Sequence, residues 1–138
     1  MEVEEFKTRV VYEKKNTPSS VTSALLQNFF LAELISPNPE KIFWLVSAWI
    51  SDVSIIDNRA GTFDSINPEW ARRRVRISEF ISYLLELGMR VNIVTNDQSH
   101  NDEFISRVRL HAERHDQSNL LCIKKDESEH AKTIVGSH

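Results

Sequence analysis

The tripeptide His130-Ala131-Lys132 sets an imidazole and an ammonium two residues apart, in a segment (130–135) whose composition reads as a strand. Residues i and i+2 of a strand point to the same face, so the two groups are expected side by side. A neutral imidazole can attack phosphorus or protonate a leaving oxygen. A neighbouring lysine neutralises non-bridging phosphate oxygens, and its charge disfavours the imidazolium, keeping the ring available as a nucleophile. The chemistry to expect is phosphodiester cleavage. Taken alone, a pattern this short fits equally a surface strand with two solvated polar groups.

Other residue groups carry weaker signals. Arg72, Arg73, Arg74 and Arg76 form a dense basic cluster, read as lying on a helix beyond its first turn. Such charges can contact a phosphate backbone, or can simply form a solvated helix face. His111 and His115 stand at i and i+4, a spacing that binds zinc when further ligands converge. No glutamate follows the first histidine, and Cys122 and Asp116 come to mind as third ligands with no motif to recommend them, so no metal site is expected. Cys122, inside Leu-Leu-Cys-Ile, reads as a small buried hydrophobe. Trp44 and Trp49 read as core, and Asp52 and Asp57 as loop caps after a strand. A glycine-rich phosphate loop and a nucleophile-elbow serine are both missing from the sequence.

The elements that must position these groups follow from hydrophobic period and stop signals. A possible strand at residues 6–12 precedes a polar stretch with Pro18. Ser23 can cap a helix whose apolar face is Leu25, Leu26, Phe29, Phe30 and Leu34, ended by Ser36-Pro37-Asn38-Pro39. Ile42 to Ile50 reads as a strand buried on both faces. Asn67-Pro68-Glu69 predicts the start of a helix reaching Leu87, stopped by Gly88. Arg90 to Thr95 is a strand. A helix capped by Ser99 or Asn101 carries Phe104, Ile105, Val108 and Ala112. Leu120 to Ile123 and the segment from His130 are the last strands. The order β-α-β-loop-α-β-α-β-β predicts an α/β fold: a mixed, largely parallel sheet flanked by helices on both faces.

Composition sets the frame. The 138 residues suit a single domain; 41% are hydrophobic and 27% charged, with three Gly and four Pro, which excludes collagen, coiled-coil rods and low-complexity disorder. One cysteine cannot form an internal disulfide. The net charge of −3 means that any nucleic-acid contact has to be local. The longest apolar run has nine residues, against about 20 for a membrane span. The acidic, mixed N-terminus lacks a secretory signal pattern, so a cytoplasmic protein without membrane contact is expected.

The order of these motifs resembles the phospholipase D-like (HKD) superfamily of phosphodiesterases, which includes small bacterial nucleases. The resemblance spans residues 40–137. It rests on the hydrophobic strand Ile-Phe-Trp-Leu-Val-Ser-Ala-Trp-Ile, the turn from Leu85 through Gly88 to Val91, the strand Val91-x-Ile93-x-Thr95, and then His130-x-Lys132. It implies a metal-independent nuclease without cofactors. In that family two H-x-K sites meet: one histidine forms a phosphohistidine and the other protonates the leaving oxygen. This chain carries one copy, so a homodimer pairing two sites is implied, with His130 and Lys132 catalytic and DNA as the substrate bound near Arg72 to Arg76. Bacterial restriction or phage defence is the context the resemblance suggests. Where the family has an aspartate after the motif, this chain has Ser137. Either the chain is a variant without that aspartate or it is a fragment that stops before the rest of the site; Gly136-Ser137-His138 also looks like the start of a tag linker. Two other classes stand beside the enzyme: a catalytically incomplete module of the same fold, used for nucleic-acid or protein binding and dimerisation, and an unrelated α/β interaction domain.

Overall fold

The architecture comes from a computed structural model, which describes residues 8–9, 27–28, 30–32, 34, 40–48, 50–127 and 134–137. The elements are β1 (Thr8–Arg9), α1 (helical residues 27, 28, 30–32 and 34), β2 (Ile42–Val46), β3 (Ser54–Asp57), β4 (Arg74–Arg76), α2 (Ile77–Glu86), β5 (Arg90–Thr95), α3 (Asp102–Arg114), β6 (Leu121–Lys125) and β7 (Ile134–Ser137). The expected Ser23 cap, the stop at residues 36–39, Trp49 and the tripeptide His130-Ala131-Lys132 lie outside the described residues.

Five strands form one sheet in the order β1-β7-β2-β5-β6. β2, β5 and β6 pair in parallel, each reached through a crossover that contains a helix, as βαβ units require. β7 runs antiparallel between β2 and β1, with Ile134 opposite Val46 and Ser137 opposite Phe43. The expected α/β class and mixed sheet are therefore present.

The layering differs from the expectation. Burial alternates along β2: Phe43 and Leu45 are buried, while Ile42, Trp44 and Val46 are only half-buried. In register with them, Val91 and Ile93 of β5 and Leu121 and Ile123 of β6 continue the inner face. Phe30 of α1 and Phe80 of α2 meet there, 4.5 Å apart between ring centroids, and both rings lie within 6.3 Å of Phe43. Removing one of these rings should cost about 3–5 kcal/mol. α3 packs on α2 and lies beside Leu121 and Ile123. Among the described residues the helices thus cover one face, not both. On the other face, Trp44, Asn92 and Cys122 form a half-buried to exposed row, so Cys122 is exposed and not a core residue.

A second correction concerns the helix expected from Asn67. Asn67 does cap, accepting from the Glu69 amide at 3.0 Å, but only for a 3-10 turn, Pro68–Trp70. The backbone then turns through Ala71 at φ +52°, and Arg74–Arg76 pair antiparallel with β3, burying Val75 completely. A cross-strand partner for the buried Val75, Ile56, outweighs local helix signals here. The expected stop holds: Gly88 takes φ +84°, its amide donates to the Leu85 carbonyl, and the Met89 amide donates to that of Leu84. These two bonds satisfy carbonyls that a helix end otherwise leaves open, in a geometry glycine adopts without strain.

Candidate functional site

The parallel strands end on one edge of the sheet, and side-chain amides organise that edge. Asn101 is fully buried. It accepts from the Ile50 amide at 2.7 Å and donates to the Ala48 carbonyl and to both oxygens of Asn96. It was expected to cap a helix; it ties the segment after β2 to the segment after β5 instead. The chain enters β7 on this same edge, at Ile134 beside Val46. Crevices beyond the carboxyl ends of parallel strands are where open α/β sheets bind ligands.

Asp52, also expected to cap a loop, reaches further. Its carboxylate is 3% exposed and accepts from the amide and hydroxyl of Ser78, at 3.0 and 2.8 Å, and from the Arg107 guanidinium. It thereby joins the loop after β2, the first turn of α2 and the middle of α3. A carboxylate at a helix N-terminus is favoured by the open amides and the dipole. Asp57 contrasts with it. This exposed group pairs with Arg59 two residues on, which holds its carboxyl down at about 2.

The four arginines read as one cluster do not act as one. The alternation of β4 puts Arg74 and Arg76 on the solvent side, with Val75 inward. Arg73 donates to both carboxylate oxygens of Glu79, at 2.6 and 2.7 Å, while Glu79 also accepts from the Arg76 amide. Arg72 lies 4.0 Å from Asp64. None of the four is on a helix. Arg73 and Arg76 line a cleft of about 370 Å³ on the outer side of α2, together with Arg107 and Trp70. Trp70 is fixed edge-on against Tyr83, whose hydroxyl donates to the Ile66 carbonyl. The cleft therefore sets guanidinium groups among the carboxylates of Glu69, Glu79 and Glu86, beside an aromatic floor.

Glu86 and His111 close one end of this cleft. The two histidines are brought together as their spacing implied, with ring centroids 4.2 Å apart. The third member is neither Cys122 nor Asp116. It is Glu86, the last residue of α2, with its carboxylate 3.4 Å from His111 Nε2. One ligand atom from each of Glu86, His111 and His115 lies within 4.8 Å of the others. Burial and the neighbouring His115 lower the pKa of His111, against the pull of Glu86 in the other direction. One signal for Glu86 was present in the sequence: it is an acid in the last turn of a helix that has no basic residue there, where the dipole favours cations. Nothing in the sequence linked it to His111 across 25 positions.

No protein-family model, curated protein or solved structure matches the chain.

Proposed function

We propose that the chain is the H-x-K-bearing part of a phospholipase D-like phosphodiesterase, acting on nucleic acid through a phosphohistidine. His130 is nucleophile or acid according to the subunit, and Lys132 holds the phosphate. The observation that carries this reading is the direction and position of β7. It enters at Ile134 from the carboxyl edge of β2 and β5, and Lys132 precedes that residue by two positions. A chain arriving there enters β7 from the crevice edge. The fixed loops around Asn101 and Asp52 supply a rigid rim. The cleft sets Arg73, Arg76 and Arg107 among Glu69, Glu79 and Glu86, so on a chain of net charge −3 the phosphate contacts of this reading rest on single guanidinium groups. The second H-x-K comes from a two-fold partner.

The test is cleavage of single- and double-stranded DNA in excess EDTA by the longest native form of the protein. Activity that disappears in His130→Ala supports the assignment; activity unchanged in that variant overturns it. Ser137, where the resembled family has aspartate, favours a second reading, a binding and dimerisation module. DNA binding without cleavage, together with a stable dimer, is its expected signature.

A further inference from the structure

Glu86, His111 and His115 come from the ends of two helices and have no part in the phosphodiesterase chemistry proposed for His130. Three features of their setting point to a ligand. First, the buried Nε2 of His111 accepts or donates no hydrogen bond; Glu86 lies at 3.4 Å but not in hydrogen-bonding geometry. A buried polar atom left unpaired costs free energy, and a cation would satisfy it. Second, Glu86 ends α2 and His111 to His115 end α3, so the negative ends of two helix dipoles converge on one spot. Third, the two ends are locked together. Gln117 donates from its side chain to the Leu85 carbonyl at 2.7 Å, while its amide donates to that of Ala112, and Asp116 at φ +55° closes α3. The first two groups of a site are therefore held in place before any ligand arrives.

We infer that Glu86, His111 and His115 form a binding site for a divalent transition-metal ion of the zinc class. Two imidazoles and a carboxylate suit borderline ions such as Zn²⁺ or Co²⁺. Bonds of about 2.0–2.1 Å in a tetrahedral site set ligand atoms about 3.4 Å apart, which is the separation of Glu86 and His111. The exposed His115 ring has to close in by at most roughly 1.4 Å from the 4.8 Å limit, a movement a surface side chain makes by rotation. Three protein ligands leave one position open. Glu86 and His111 line the cleft, and Arg107, one turn before His111 on α3, lines it too.

The experiment uses tag-free, metal-stripped full chain titrated with Co²⁺, read by visible absorption, with Zn²⁺ as competitor. One ion per chain, tetrahedral absorption bands and displacement by Zn²⁺ are expected. Loss of a group that only orients a ligand costs roughly 10–100-fold in affinity, and loss of a ligand costs no less. His115→Ala and Glu86→Gln should therefore each weaken binding by at least roughly tenfold. Both positions are exposed, so melting of the metal-free variants no lower than the parent's excludes a folding defect. His130→Ala should bind Co²⁺ as the parent does, which separates this site from the one proposed for phosphodiester cleavage. No binding up to millimolar Co²⁺, or equal binding by parent, His115→Ala and Glu86→Gln, would overturn the assignment.

Discussion

Residues 72–76 and the joined ends of α2 and α3 concentrate charge in opposite ways. The arginine segment spreads its four guanidinium groups: one meets Asp64, one is neutralised by Glu79, and Arg74 and Arg76 extend from the exposed side of β4. The helix ends draw two imidazoles and a carboxylate, 25 and 29 positions apart in sequence, to within 4.8 Å. Density along the chain did not bring the groups of the first region together, whereas convergence between elements did so in the second. Asp52 belongs with the second kind, because it gathers Ser78 and Arg107 from two helices. Asp57 belongs with the first, because its partner is two residues away.

If convergence is what gives a charged group its weight, Asp52→Ala should have the largest effect. It strips the buried Ser78 of the acceptor for its amide and hydroxyl, at a cost of about 2 kcal/mol in denaturant unfolding. Asp52→Asn should recover part of that. A loss no greater than that of an exposed variant would dissolve the distinction. Next come the arginines. On the proposed nucleic-acid reading, Arg73→Ala and Arg76→Ala should each lower the salt slope of DNA binding by about one, as the loss of one phosphate contact would. Arg72→Ala and Arg74→Ala, outside the cleft, should leave it nearly unchanged. Equal effects at all four would mean that the segment works as a strip after all.

Glu86 sharpens the comparison by sign. In metal-free protein, Glu86→Gln removes an acid from the negative end of α2 and should stabilise by about 0.3–1 kcal/mol, measured by thermal or urea unfolding. Destabilisation would show that its contact with His111 already outweighs the dipole. His111 gives a pH test. Its folded pKa is lowered by burial and by His115, below the 6.5 of an ordinary histidine. The unfolded chain therefore takes up its proton first as pH falls. The contribution of His111 to stability is complete above about pH 6.5 and is lost as pH drops through the lowered folded value. An NMR titration of His111 with a midpoint at or above 6.5 would contradict this. The smallest effect belongs to the exposed pair: Arg59→Ala should raise the Asp57 carboxyl from about 2 toward 3.8 with little change in melting temperature.

The same contrast explains what could be read from the sequence. β5 spans Arg90–Thr95 as its alternation predicts, and Gly88 stops α2 through local backbone geometry. Asn67 caps a turn as its side chain dictates. These are outcomes of nearest-neighbour chemistry. The conversion of Arg74–Arg76 to a strand required β3, and the exposure of Cys122 required knowing which sheet face the helices cover. Likewise, Glu86 required the packing of α2 on α3, and Asp52 required both helices at once. Each depends on contacts between distant segments, which hydrophobic period and cap signals do not encode. The histidine pair was legible because both its members lie on one helix turn, and its third ligand was not.

The placement of β7 also bears on the order in which the molecule can form. The units β2-α2-β5 and β5-α3-β6 close over modest stretches of chain and can collapse on the inner face as soon as they exist. β1 has no such option. Among the described residues its pairing in the sheet is with β7 alone, so residues 8–9 join the sheet only once residues 134–137 have docked against β2. Pairings this remote are slow, because a long loop must close before they are rewarded. Of the described strands, β1 is therefore the last to be built in.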